Sequence, residues 1–406
     1  MSAPVAAPAR VALVGANGHG RWHRRLIESL RAAGRLELVA LVDVAPVRPE
    51  PDAPVTAEVY ADHREMLRSA RPDVVVICTP PHTHLPIALD ALASGADLLL
   101  EKPPVLSLAE HRTLADALTA SGRACQVGFQ ALASAALAEL AAAMTEGRLG
   151  TVTGISTLAC WQRSDSYYAR SPWAGRRTLD GRPVLDGALA NPLAHAVMQC
   201  LALAAVAEGR DPVRPELVEL ERYRTRPIEV DDTATLRVTL GSGLPVVAAV
   251  TLAGEEFVAG EVVVHGTLGR AVLEYPTDRL RLPGDPELRE VPGRVSLLAN
   301  LLDHRADPAG VPLIAPLART AGFTAVLDAI GAAPEPALVA GDRVVPAGDP
   351  PERVLSIRGV NAALRQAAER LALLSELDVP WAVPPHRTRF GGPTENGLQI
   401  AETIVR

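Results

Sequence analysis

Arg10-Val11-Ala12-Leu13-Val14-Gly15-Ala16-Asn17-Gly18-His19-Gly20 decides how the first third of this chain folds. The opening residues read as a short buried strand, the three glycines that follow make a tight turn, and Arg21 to Ala33, closed by Gly34, carries a helical pattern. A strand that turns on glycine into a helix is the layout of a dinucleotide site. The bare backbone lets a pyrophosphate approach, and the amides and dipole at the helix head meet its charge. Asn17 stands where the second glycine of that fingerprint would be, and asparagine tolerates positive φ better than most residues. Gly15, Asn17, Gly18 and His19 are the candidate phosphate residues. A purely structural turn gives the same letters, so the motif needs support from the rest of the chain.

The second strand, Leu36 to Val44, supplies some. It carries Asp43, twenty-three residues past Gly20, where an acidic side chain accepts the two ribose hydroxyls of the adenosine. Such a carboxylate repels a 2′-phosphate, which favours NAD over NADP, with Arg48 the nearby residue that could pair a phosphate. A third strand, Asp73 to Cys78, runs into Thr79-Pro80-Pro81-His82-Thr83-His84, then a helix from Leu85 to Ser94. The prolines leave an open loop at the carboxyl edge of the sheet, which puts Thr79, Pro80 and His84 among the candidate cofactor contacts; either histidine could equally be a solvated loop residue. A helix from Ser107 to Leu118 and a strand from Ala124 to Gly128, ending at Phe129-Gln130, complete a doubly wound Rossmann domain over residues 1–130.

Between those elements the apolar run Asp97-Leu98-Leu99-Leu100 ends at Glu101-Lys102-Pro103-Pro104. Lys102 is the only lysine; the other basic residues among the forty Lys plus Arg are all arginine. The exchange matters chemically, because arginine stays charged whereas a desolvated ammonium can lower its pKa and pass a proton. Proline after it favours extended geometry, fixing Lys102 at the carboxyl end of a buried strand, where open α/β sheets place their ligands.

Bulk composition bounds the function. A net charge of −7 and a pI near 5.9, with no basic block, argue against nucleic acid. The Ala/Pro-rich stretch Met1 to Arg10 has no apolar core of the signal-peptide kind and no eighteen-residue apolar run occurs, so the expectation is a cytoplasmic protein with no membrane partner. Cys78, Cys125, Cys160 and Cys200 are too scattered for a disulfide framework or a zinc pattern, and read as ordinary thiols with no metal site.

Residues 131–406 read as a second, α+β domain with an open mixed or antiparallel sheet. Ala131 to Gly147 is helical and Thr151 to Trp161 a strand; β-rich segments follow at Thr233 to Leu240, Val246 to Ala253, Phe257 to Gly266 and Arg270 to Glu274. The region Ala333 to Pro351 is loop-like, Leu355 to Leu377 a long amphipathic helix, and Pro380 to Arg406 irregular before a short terminal helix; residues 280–406 carry no chemical signal. Four of only thirteen aromatics, Trp161, Tyr167, Tyr168 and Trp173, crowd into thirteen positions with Arg163, Asp165, Arg170 and Arg176 between or beside them. Trp161, Arg163, Tyr168, Trp173 and Arg176 could stack on a sugar ring and bond its hydroxyls, or pack at a subunit contact. Further on, Asn191-Pro192 reads as the N-cap and first residue of an apolar helix, so that His195 falls in the first turn, where the dipole disfavours imidazolium.

Taken together, the GANGHG turn, the CTPPHTH loop, the EKPP turn, GFQ and NPLAH resemble the glucose-fructose oxidoreductase and inositol dehydrogenase family of NAD(P)-dependent enzymes, over roughly residues 10 to 275. The resemblance implies a Rossmann domain followed by an α+β domain whose open sheet often forms an oligomer interface, here a homodimer or homotetramer. It implies cofactor contacts from Glu101, Lys102 and Gln130, and His195 as proton acceptor with Lys102 holding the substrate oxygen. The family's aspartate-x-x-x-histidine element matches Asn191 to His195, with asparagine in place of the carboxylate. Asn191 then joins the catalytic and substrate set, and Asp186 or Asp180 is the candidate to compensate. The implied activity is hydride transfer between NAD and a carbinol carbon of a sugar, cyclitol or related polyol. An NAD-retaining glycosidase or lyase working by transient oxidation, and a non-catalytic NAD sensor, are the alternatives.

Overall fold

Strand β1 (Ala9–Val14) lies at the middle of a six-stranded parallel sheet, and its inner residues Val11 to Leu13 are fully buried. In this computed structural model, which describes residues 7–391 and the backbone of 400–404, the order is β3-β2-β1-β4-β5-β6. The other strands are β2 (Leu36–Val42), β3 (Glu58–Tyr60), β4 (Val74–Ile77), β5 (Asp97–Leu100) and β6 (Cys125–Val127). Helices α1 (Gly20–Ala32), α2 (His63–Ala70), α3 (His84–Ala93) and α4 (Leu108–Ser121) make the crossovers. β4 and β5 are apolar at almost every position because a parallel sheet covered by helices buries both faces of its strands. The order reverses beside β1, so the switch point lies between β1 and β4, and the glycine turn opens at its carboxyl edge.

The first compact unit comprises residues 1–105, 109–129 and 295–317; the second comprises 106–108, 130–294 and 318–406. The return of 295–317 departs from a single division at residue 130. Helix Leu297–Ala306 of that segment is tied down by Arg305, which pairs with Asp73 at 2.7 Å and with Asp97 at 2.5 Å. Buried Gln126 of β6 bonds Asn300 at 2.6 Å and accepts the Ala315 N–H at 2.8 Å.

In the second unit a mixed sheet is built around Val152–Gln162, which pairs parallel with Pro245–Thr251 and antiparallel with Ala253–Gly266. Thr233–Leu240, Pro215–Arg224, His386–Phe390 and Ile400–Ile404 extend it one way, and Gly269–Glu274 begins its extension the other way. Leu158 and Cys160 pack with Val360 and Leu364 of helix Val360–Arg370, and alternate residues of the strand face away from them. The expected long helix 355–377 is broken into a strand (Val354–Ile357), this eleven-residue helix and a turn at Leu374–Leu377. Left-handed Gly359 (φ 78) and Leu371 (φ 54) bound the helix. The expected terminal helix is a strand over Ile400–Ile404, and its neighbours 392–399 and 405–406 lie outside the described residues, as do 1–6. Among the described residues no helix is long and apolar enough to cross a membrane.

Candidate functional site

In the first unit the glycine turn is shaped by what cannot fit there. A Cβ on Gly15, whose φ is +88, would lie 2.3 Å from the Cys78 carbonyl oxygen, and one on Gly20 would lie 1.8 Å from the oxygen of Gly15. β1 and α1 are thereby brought close across the turn. Gly18, not Asn17, takes the left-handed conformation (φ 54), with open space around it. The asparagine therefore needs no special backbone tolerance. Its N–H donates to Asp43 Oδ2 at 2.9 Å, and the other carboxylate oxygen accepts the Ala45 N–H at 3.0 Å. The carboxylate holds the end of β2 against the turn and keeps lone pairs in reserve for hydroxyl donors. Arg48 is exposed.

The loop after β4 is braced from behind. The Thr83 hydroxyl donates to the Pro80 carbonyl and is hydrogen-bonded with the Thr79 hydroxyl, each at 2.7 Å. His84, expected as a cofactor contact, is buried, with its ring between the Thr79 carbonyl at 2.8 Å and the Pro103 carbonyl at 2.9 Å. Burial lowers its pKa against the pull of those carbonyls. His84 thus ties the loop to the Pro103 carbonyl, one residue past Lys102; the Lys102-Pro103 peptide is cis.

Lys102 is half-buried two residues past the end of β5, at the carboxyl edge of the sheet as expected. Its backbone N–H donates to Glu101 Oε2 at 3.0 Å. Glu101 Oε1 lies 2.8 Å from His23 Nε2 and 3.8 Å from His19 Nε2. Burial pushes the Glu101 carboxyl up, but the bonds with His19 and His23 outweigh it and hold it well below the usual carboxylate range. Gly128 leaves the space this carboxylate needs, since a Cβ there would sit 2.7 Å from its oxygen. His23 was not foreseen. Its signal was its place four residues after His19 in an amphipathic helix.

In the second unit the helix bearing His195 runs Ala194–Glu208, with Leu193 at its N-cap. The expected cap at Asn191-Pro192 is not formed. That peptide is cis, and the Asn191 side-chain amide donates to Asp186 Oδ1 at 3.0 Å. His195 is half-buried and still in the first turn. Asp186 is almost fully buried, both its oxygens accept from the single nitrogen Arg170 Nη2 at 2.8 and 2.9 Å, and it takes the Gly175 N–H at 2.9 Å. Burial pushes this carboxyl up while Arg170, Asn191 and Gly175 pull it down. Asp180 is exposed, with φ 50, and has no part in the group.

The aromatic cluster is knit by arginine. Arg170 lies over Tyr167 (3.8 Å) and Trp173 (4.7 Å), and Arg163 over Trp161 (4.8 Å) and Tyr167 (5.0 Å). Tyr168 is stacked under Arg226 at 4.8 Å, and its buried hydroxyl finds no hydrogen-bond partner. Exposed Arg176 pairs instead with half-buried Glu229 at 2.8 Å. Gln130 opens a short 3-10 turn, Gln130–Ala133.

Residues 9–129 match the model of the oxidoreductase family with an NAD-binding Rossmann fold. Over these residues, less than a third of its length, the chain is similar to that family. Among its relatives, D-glucoside 3-dehydrogenase of Escherichia coli strain K12 is 29% identical over 154 residues, which is 37% of this chain and 43% of that protein. Inositol 2-dehydrogenase of Rubrobacter xylanophilus is 36% identical over 121 residues, 29% of this chain and 34% of the relative. The chain thus spans less than half the length of the curated relatives it matches. Among solved structures, the WlbA dehydrogenase from Bordetella pertussis in complex with NADH and UDP-GlcNAcA aligns over 80% of this chain and 95% of its own, with TM-score 0.63 and 21% identity. The inositol dehydrogenase homologue from Azotobacter vinelandii complexed with NAD+ covers 80% and 95% at TM-score 0.61 and 18% identity. Both share the fold of this chain.

Proposed function

We propose that this chain is an NAD-dependent dehydrogenase that exchanges a hydride with a carbinol carbon of a sugar, cyclitol or related polyol. The observation that carries the reading is the sole lysine standing just past β5, at the same sheet edge as a glycine turn that admits no side chain at Gly15 or Gly20. Bound NAD supplies the hydride acceptor at its nicotinamide. The turn amides and the head of α1 hold the pyrophosphate, and Asp43 takes the ribose hydroxyls, which selects NAD over NADP. Thr79 and Pro80 line the cofactor from the loop that His84 braces.

Carbinol oxidation releases a proton as well as a hydride. Lys102 donates to the reacting oxygen and stabilises developing alkoxide, while His195 accepts the hydroxyl proton. Asn191 cannot offer an imidazolium the charge that aspartate would. Asp186 accepts a bond from the Asn191 amide and is already shared with Arg170. Trp161, Arg163, Tyr168, Trp173 and Arg176 form the polyol-recognising surface, and the assembly is a homodimer or homotetramer. An NAD-coupled screen of sugars and cyclitols tests the reading. Net formation of NADH with one class of polyol is the expected result, and bond cleavage without net NADH would replace it with transient oxidation.

A further inference from the structure

We propose that His19, His23 and Glu101 form a binding site for one zinc-class divalent cation at the head of α1. His19 immediately precedes α1 and His23 is four residues on, so both rings project from one face of the same helical turn. Glu101 meets them from the end of β5. The three donor atoms all lie within 4.8 Å of one another, with Glu101 Oε1 at 2.8 Å from His23 Nε2 and 3.8 Å from His19 Nε2. Ligands about 2.1 Å from a tetrahedral ion stand roughly 3.4 Å apart, so the Glu101–His23 pair must open by about 0.6 Å and the widest pair close by up to about 1.4 Å, which rotation of the exposed His19 ring can supply.

The surroundings fix these donors. Glu101 is oriented by the Lys102 N–H on its second oxygen and fits only because residue 128 is glycine. Trp22 walls the pair of imidazoles, edge-on to His23 at 4.9 Å between ring centres and parallel to His19 at 6.0 Å. The His23 and Glu101 side chains are 0% and 6% exposed, while His19 is 60% exposed, so an ion can enter from one side. Metal binding requires both imidazoles unprotonated, and with ionised Glu101 the three ligands would then carry a single negative charge. Two nitrogens and one carboxylate suit zinc, cobalt or nickel and not magnesium or calcium, which prefer all-oxygen shells. Three protein ligands leave the fourth position for water or an anionic oxygen.

The test uses the whole, tag-free, metal-stripped chain and zinc itself, titrated against a chromophoric chelator, with cobalt quenching of tryptophan fluorescence as a second readout. One zinc per chain is expected, resisting excess magnesium. His19→Ala, at an exposed position, should weaken binding at least about tenfold, because one of three ligands is lost. Trp22→Phe should keep the zinc and lose most of the cobalt quenching. Zinc binding that His19→Ala leaves unchanged, or that magnesium displaces, overturns the site, as does no binding at all. NAD affinity of the same metal-free samples is measured alongside, so a failure of the ion site is not mistaken for a failure of the cofactor site.

Discussion

Each unit buries a carboxylate close to a proposed reactive residue, and the two are held by different chemistry. Glu101, next to Lys102, meets two imidazoles and a backbone N–H. Asp186, five residues before Asn191, meets one guanidinium nitrogen, a side-chain amide and a backbone N–H. Imidazole can give up its charge or share its lone pair with an ion; guanidinium does neither. The first carboxylate is therefore an adjustable element beside the cofactor turn. The second is a fixed strut that ties the Arg170 aromatic ladder to the segment leading into the His195 helix.

The comparison can be broken at several points. Gly20→Ala should have the largest effect, because its methyl would lie 1.8 Å from the Gly15 oxygen and the turn cannot keep its shape. NAD affinity should fall about a hundredfold or more, as for other losses of a tightly approached backbone position; calorimetric titration measures it. Arg170→Ala leaves Asp186 buried without its cation and should cost about 3 kcal/mol at neutral pH. The sign in pH follows from a carboxyl already raised in the folded state: the variant's deficit grows as pH rises through the Asp186 pKa and shrinks in acid, where the group is protonated. Thermal melts across that range would show it, and a deficit independent of pH would mean that Arg170 acts by stacking alone.

Asp43→Ala removes acceptors for two hydroxyls and should weaken NAD about tenfold, while narrowing the preference over NADP. Glu101→Gln should have the smallest effect. The depressed Glu101 pKa means that its ionised form adds stability that is complete above about pH 4.5, its ordinary value, and is lost as pH falls through the folded value. The variant should be less stable at pH 7 and show a flatter loss of stability in acid. Equal acid slopes would contradict the imidazole clamp.

Much of the first unit was legible because its signals are local. Glycines forced by close backbone approach, an acid at a strand end, and a proline after Lys102 each act within a few residues. The rest depended on pairings that one-dimensional pattern hides. Strand Pro215–Arg224 escaped notice because it buries Glu219 and Glu221, whose charges are met by Arg237, Arg387, the Thr235 hydroxyl and the Leu374 N–H. Helix Leu297–Ala306 gave no sign of belonging to the first unit, since Arg305 finds its partners 208 and 232 residues away. At Asn191 the residue types fitted a helix cap, but Asp186 offered the side chain a better acceptor than the helix offered it donors.

The most direct measurement compares Lys102→Arg with the unaltered chain, recording both NAD affinity and the rate of NADH formation with the best polyol of the screen. A guanidinium keeps the charge but not the compact ammonium, so turnover should fall by about a thousandfold or more with NAD binding nearly unchanged. Turnover that survives the exchange would remove Lys102 from the chemistry and with it the proposed mechanism.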